Sequence, residues 1–419
     1  MSALVMSFFT RHFSLLFFGV LQIFFSAPGQ TFLVSLFVNA MFDDLEISKS
    51  LFAGIYSAAT LSASLLLNPL GRLVDRYPPA WVVVSFSLLM SLGCVLLASA
   101  SGVMMVFIGF FLLRLIGQGG FVLASSTIMA KQFQKNRGKA IGITTLGYPL
   151  SEAIYPSIAL LLLVQFGWRS SYMLFALSYL LIMIPAQWTL LKRSGFRENE
   201  FLEGELDYHD AYVPKATLTH MCLTEIVTSF HFYVLITALC IPPVLMTGLL
   251  FHQESIFAIH DWSMTVVASG LAFYALCKAV GSLVIGPVID RYGPVWPFSA
   301  LIFMLGLGTF LAGLGGHSGV IFIYFGLLGT ALGFSSPVVN VVLPNLYGTK
   351  HLGSIKGYVG MFRNGLTALG PLPVALVMDA GWSVTSLLVW TSLFIFVLAV
   401  LPLYLASKLP RMKTGGVPN

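Results

Sequence analysis

Charge is what this sequence has least of. Only 9% of its 419 residues are Asp, Glu, Lys or Arg, against 57% hydrophobic ones, and the mean hydropathy is +0.90. Soluble domains carry about 25% charged residues, so a water-facing surface of normal area cannot be covered. Cysteine is also scarce: Cys94, Cys222, Cys240 and Cys277 are scattered without C-x-x-C or metal-ligand spacing and read as packing residues. His231, His252 and His260 have no carboxylate or cysteine at metal spacing and read as interface histidines. Neither a metal nor a cofactor is expected. There is no P-loop, no G-x-S-x-G and no H-E-x-x-H, so direct ATP drive and enzymatic chemistry are not indicated. The net charge of +6 does not imply a nucleic-acid partner, because the basic residues fall in loops between apolar runs.

Those apolar runs dominate the chain. They recur at about 20 residues, the length a helix needs to cross about 30 Å of hydrocarbon. Twelve spans are expected, roughly 13–38, 51–74, 80–100, 103–130, 138–165, 171–192, 225–251, 263–288, 296–315, 318–345, 354–378 and 384–408. The first continues too far, with no convincing small-residue cleavage site, to be a signal peptide. With both termini cytoplasmic, seventeen of the 22 Lys and Arg residues fall on the inner side, and only Lys49 and Arg169 outside. The expectation is an all-α membrane protein of two six-helix bundles, 1–192 and 225–419, joined by a cytoplasmic linker at 193–224 with acids between Glu198 and Asp210.

The two halves repeat. NPLGRLVDRYP at 68–78 matches VIGPVIDRYGP at 284–294, pairing Gly71 with Gly286, Asp75 with Asp290 and Arg76 with Arg291 at an offset of 215 residues. The same offset of 215 pairs Gly138 with Gly353, Gly142 with Gly357 and Pro156 with Pro371. A constant offset over separate segments indicates a duplicated six-helix unit.

With Gly71, Leu73, Asp75 and Arg76, the chain resembles the major facilitator superfamily, whose loop motif is G-x-L-x-D-R-x-G followed by basic residues. It departs at Pro78 and at Pro79-Ala80; the second copy keeps Gly286, Asp290, Arg291 and Gly293, with Val288 in the Leu position. The resemblance covers essentially the whole chain. It implies twelve helices, alternating access, and a gate at the two motif copies, where glycines allow close helix approach. Within the superfamily the chain is most similar to the oxalate/formate and monocarboxylate transporter branch. Arg137, Gly138, Ala140 and Gly142 give R-G-x-A-x-G, and Arg363 follows Gly357 by six residues, as the branch's basic residue does. Lys278 lies twelve residues before Asp290, where that branch places its basic residue about eight before.

Four ionisable residues fall near the middle of expected spans: Arg114, Glu152, Lys278 and Arg363. A charge at the bilayer centre costs about 2.5–3.5 kcal/mol on insertion scales, so each faces a partner or a cavity. Arg114 and Glu152 read either as a structural ion pair or as a proton site, with Glu152 titrating as Arg114 turns to substrate. Three cations against one carboxylate favour a small anion: Arg363 supplies a planar fork, Lys278 a movable point charge. The break at Pro28-Gly29 sets Gln30 and Thr31 beside the path, and Tyr56, Tyr148, Tyr155, Tyr274, Asn340 and Asn364 could line it. The expected protein is therefore a secondary transporter of a small organic anion, proton-coupled or exchanging, monomeric, and set in a bacterial inner membrane. Alternatives are a drug or siderophore exporter of the same fold, or a transport-inactive membrane receptor.

Overall fold

The computed structural model describes residues 8, 10–46, 49–133, 136–195, 221–251, 264–315, 319–367 and 383–409. Most of the expected linker, including the acids from Glu198 to Asp210, lies outside these residues, as do His252, His260, Pro371 and Asp379. Every regular element among the described residues is helical. Hydrocarbon offers no hydrogen bonds, so each backbone amide must find its partner within its own segment, and a helix does this without help.

The first part of the chain forms α1 (Phe13–Phe24), a 3-10 turn at Ala27–Gly29, α2 (Thr31–Leu45), α3 (Lys49–Leu65), α4 (Leu67–Arg76) and α5 (Pro79–Ala98). It continues through α6 (Val103–Leu112), a π-helical segment at Leu113–Gly120, α7 (Phe121–Gln132), α8 (Arg137–Thr144) and α9 (Gly147–Ser178). A second π-helical turn at Tyr179–Met183 leads into α10 (Ile184–Arg193). The later part holds α11 (Leu223–Ile226), α12 (Phe230–Phe251), α13 (Met264–Tyr292), α14 (Val295–Leu314), α15 (Val320–Tyr347), α16 (Leu352–Thr367), α17 (Val384–Leu398) and α18 (Leu401–Lys408).

Among the described residues, 8 helical runs are long and apolar enough to cross a membrane. The longest, Arg137–Arg193, is broken at Gly167, whose φ of 76° only glycine adopts readily. That break falls where a turn between the fifth and sixth spans is expected. The first span is interrupted at Pro28-Gly29, as the sequence suggests, and the second at Leu66, which separates α3 from α4.

Packing groups the chain into two compact units. Unit 1 comprises Met1–Gln132, Thr144–His209 and Thr349–Met361; unit 2 comprises Phe133–Ile143, Asp210–Gly348 and Phe362–Asn419. Each unit thus contains a short segment from the opposite half of the sequence. Unit 1 centres on buried aromatic rings: Phe37 packs on Tyr172 with centroids 5.1 Å apart, and Tyr179 stacks on Phe121 at 6.2 Å while its hydroxyl donates to the Phe25 carbonyl. In unit 2, α13 and α15 approach through glycine. A side chain at Gly333 would meet the Lys278 carbonyl at 2.5 Å and the Ser282 nitrogen at 2.9 Å. Small residues supply this contact because lipid competes with side chains for any looser one. Outward positions such as Val164, Leu181, Phe230, Trp390 and Val397 are large, apolar and exposed, a surface suited to lipid.

The two kinds of glycine give a direct test. Gly333→Val forces a methyl group into backbone, an overpacking cost of about 1–3 kcal/mol or more. Gly54, in α3, has nothing within 4 Å of its missing side chain, and Gly54→Ala gains helix propensity of about 1 kcal/mol. Thermal unfolding in detergent should show Gly333→Val melting well below the parent protein and Gly54→Ala at or above it.

Candidate functional site

The repeated motif is built around its aspartates. In unit 1, Asp75 sits in the last turn of α4 and accepts the Gly353 N–H at 2.8 Å and the Ser354 N–H at 2.7 Å. These amides belong to the first turn of α16, where no intrahelical acceptor exists. Asp75 also pairs with Lys131 at 3.1 Å, with side-chain exposures of 9% and 3%. Unit 2 repeats the arrangement with Asp290, near the end of α13, which accepts the Gly138 N–H at 2.7 Å and the Lys139 N–H at 3.0 Å in the first turn of α8. A carboxylate from another helix does here what a local capping side chain does elsewhere, and its charge complements the positive helix end.

The motif glycines set the distance. A side chain on Gly71 would collide with the Gly353 carbonyl, and one on Gly286 would meet the Gly138 carbonyl at 2.6 Å. Only backbones this close let the short Asp side chain span both amides. The motif arginines take no part: Arg76 and Arg291 are exposed, and neither forms a hydrogen bond or ion pair among the described residues. Sequence reasoning found the Asp and Gly pairs but missed their partners. Lys131 stood out only as one of many inner loop charges, and amide donors carry no sequence signature.

A second polar cluster lies in unit 1 around Arg114, which is 5% exposed on the π-helical segment. Its Nε donates to Thr60 Oγ1 at 3.1 Å, and its Nη1 donates to the Gly29 carbonyl at 3.0 Å and to Thr31 Oγ1 at 3.2 Å. The guanidinium lies 5.1 Å from the Tyr56 ring centroid, and the Tyr56 hydroxyl is 3.1 Å from Thr31 Oγ1. The local backbone explains the geometry. Pro28 and Gly29 end the first helix in a 3-10 turn, which frees the Gly29 carbonyl. The π-helical segment presses against this turn so closely that a side chain on Gly117 would meet the Gly29 Cα at 2.8 Å. Gln30 joins the cluster, donating to Ser26 Oγ at 3.2 Å and to the Gly117 carbonyl at 3.4 Å.

All the partners of Arg114 among the described residues are neutral. Arg114 belongs to neither the Lys131–Asp75 nor the exposed Arg169–Asp44 ion pair, and it does not form with Glu152 the pair that one reading of the sequence anticipates. Nη2 of Arg114 makes no hydrogen bond among the described residues. Glu152 and Tyr148 are half-buried on α9 of the same unit. The remaining candidates belong to unit 2. Lys278 is half-buried on α13 with Nζ 5.9 Å from the Tyr274 ring centroid, and Arg363 and Asn364 are half-buried on α16. Thr60 is the neighbour of Arg114 that sequence reasoning missed, because a threonine inside an apolar run is unremarkable until its hydroxyl meets a cation.

Apolar helices in two units, a duplicated Gly–Asp motif and ionisable residues buried within the apolar runs define a multi-pass integral membrane protein. The model of the Major Facilitator Superfamily matches residues 16–259 and 246–416, and the chain belongs to that family, one of transporters rather than enzymes. Among solved structures, the proton:xylose symporter XylE bound to 6-bromo-6-deoxy-D-glucose is similar over 97% of this chain and 98% of its own, with a TM-score of 0.71 and 15% identity. The human organic anion transporter MFSD10 (TETRAN) is similar over 93% of this chain and 99% of its own, with a TM-score of 0.68 and 14% identity. These likenesses concern the fold. An uncharacterized transporter of Bacillus subtilis (strain 168), YybO, is 25% identical over 140 residues, a match spanning 33% of this chain and about a third of that protein's length.

The Asp75–Lys131 pair predicts strong coupling. Asp75→Asn takes the carboxylate from the buried Lys131 ammonium, and removing one partner of a buried pair costs about 3–5 kcal/mol. Adding Lys131→Met should recover most of the loss in melting temperature. Strictly additive effects of the two substitutions would show that the pair is not coupled.

Proposed function

We propose that the chain is a secondary active transporter that moves a small organic anion, a mono- or dicarboxylate, by alternating access, and that it is closest in function to the oxalate/formate and monocarboxylate branch. Arg114 carries this reading. A guanidinium buried in an apolar unit, held by a carbonyl, two hydroxyls and an aromatic ring, is oriented but not neutralised. Charge taken out of water calls for a counter-charge, and Nη2 still has two donors to offer a carboxylate. Arg363 and Lys278 supply further positive charge in unit 2, with Gln30, Tyr148 and Asn364 as polar neighbours of the path. The organic anions named for MFSD10 agree with this substrate class, and the sugar bound to XylE does not; at 14% and 15% identity neither decides it.

In the same reading the chain spans the inner membrane of a bacterium twelve times, as a monomer with both termini in the cytoplasm. Two six-helix bundles, 1–192 and 225–419, flank the linker. The contacts of Asp75 and Asp290, with Gly71 and Gly286 beneath them and Arg76 and Arg291 beside them, form and break as the gate of the transport cycle. Energy comes from a proton carried at Glu152 or from exchange of one anion for another.

Uptake into proteoliposomes tests the proposal, using labelled mono- and dicarboxylates with and without a pH gradient. Saturable uptake of one acid should fall about ten- to a hundredfold in Arg114→Gln, as expected when a charge-assisted contact of about 1.5–3 kcal/mol is lost. Arg363→Gln should raise the KM for the same acid. Loss of the response to pH in Glu152→Gln, with exchange preserved, assigns the proton to that residue. Transport of a neutral compound at parental rates by a folded Arg114→Gln protein would refute the anion reading.

A further inference from the structure

The motif's glycines and aspartates have structural work to do, but three residues beside each aspartate do not. Beyond Asp75 come Arg76, Tyr77 and Trp81; beyond Asp290 come Arg291, Tyr292 and Trp296, again at an offset of 215 residues. Between them the sequence changes, with Pro78 against Gly293 and Ala80 against Val295, so the shared residues are not simply a stretch left undiverged. All six are exposed, and the two tryptophans are 65% and 70% accessible. In each copy the arginine and tyrosine stand where one helix ends, at α4 and α13, and the tryptophan stands in the first turn of the next, α5 and α14.

The aspartates do not neutralise these arginines, because their carboxylates are committed to helix amides and, in one copy, to Lys131. Arg291 instead lies 5.1 Å from the Tyr292 ring centroid. A positive charge at the end of an apolar helix, with a tyrosine next to it in the chain and a tryptophan in the first turn of the following helix, matches the chemistry of a lipid headgroup. The rings settle at headgroup depth and the guanidinium takes a phosphate oxygen pair. Topology signalling would account for the arginines alone, and an aromatic belt for the rings alone. Neither accounts for the two kept together at a fixed spacing in both copies.

We propose that Arg76, Tyr77 and Trp81 form a binding site for the phosphate headgroup of an anionic phospholipid, and that Arg291, Tyr292 and Trp296 form a second such site. The first is the stronger. Arg72 is exposed one turn before Arg76, on the same side of α4, whereas Pro287 occupies the corresponding position in α13.

Native mass spectrometry of the purified protein with equal amounts of phosphatidylglycerol and phosphatidylcholine tests this. Two phosphatidylglycerol molecules should be retained in preference to phosphatidylcholine. Arg291→Gln should leave one, and Arg72→Gln with Arg76→Gln should leave the other, weaker one. All three substitutions together should abolish the preference. These residues are exposed, and an unchanged elution volume and melting temperature exclude misfolding. In vesicles, brominated phosphatidylglycerol should quench the intact protein more than brominated phosphatidylcholine does, and the excess should vanish in a Trp81→Phe, Trp296→Phe variant. Equal retention of both lipids, an unchanged preference in the triple arginine variant, or displacement of the lipid by an equal concentration of inorganic phosphate would each overturn the proposal.

Discussion

A carboxylate that serves the amides of a helix from the other half of the sequence is the contact on which this structure turns. The first amides of any helix lack acceptors, and near hydrocarbon water cannot be relied on to supply them. Asp75 and Asp290 supply them for α16 and α8. The Asp side chain is short, so the contact demands that backbones nearly touch, and Gly71 with Gly353 and Gly286 with Gly138 permit this. Glycine and aspartate in the motif are therefore one device. Its consequence is visible in the packing, which assigns Thr349–Met361 to unit 1 and Phe133–Ile143 to unit 2.

Arg114 shows a different solution to a buried cation. The buried Lys131 meets a carboxylate at 3.1 Å. Arg114 meets a freed carbonyl, two threonine hydroxyls and the face of a tyrosine. Neutral acceptors fix the plane of the guanidinium without cancelling its charge, and low surrounding dielectric lets that charge act over distance. This cluster is built on two irregularities, a 3-10 turn at Ala27–Gly29 and a π-helical segment at Leu113–Gly120. Departures of this kind are often found at functional sites.

Much of this was legible in the sequence, and what was not has a physical reason. Long apolar runs announce helices because only a self-satisfied backbone survives in lipid. The constant offset announced the duplication, and Pro28-Gly29 announced the break in the first helix. The offset could not say that Asp75 serves Gly353 rather than Gly138, since all four residues share it. Nor could it single out Lys131 from other inner loop charges, or Thr60 from other small residues in an apolar run. The anticipated Arg114–Glu152 pair rested on opposite charge in adjacent spans. Opposite charge predicts pairing only where no better-placed acceptor exists, and the Gly29 carbonyl is better placed.

Duplication did not leave the two devices equal. Position 131 is a lysine paired with Asp75, and the position 215 residues later is Leu346, which cannot pair with Asp290. Arg137 and Lys139, on the helix that Asp290 serves, lie near enough to favour its charge. They donate to amide oxygens, Arg137 to Asn345 at 2.7 Å and Lys139 to Asn136 at 2.8 Å, and neither forms a salt bridge with Asp290 of the kind Lys131 forms with Asp75. Asp290 thus holds the start of α8 by backbone amides, while Asp75 holds the start of α16 by amides and an ion pair shielded from solvent. Breaking the first contact exposes one carboxylate and two donors. Breaking the second also takes the carboxylate from a lysine that is almost fully buried, and losing an ion pair there costs more than losing a neutral hydrogen bond. Parting the two contacts would therefore cost unequally at α8 and α16, and the buried ion pair of Lys131 is what sets α16 apart.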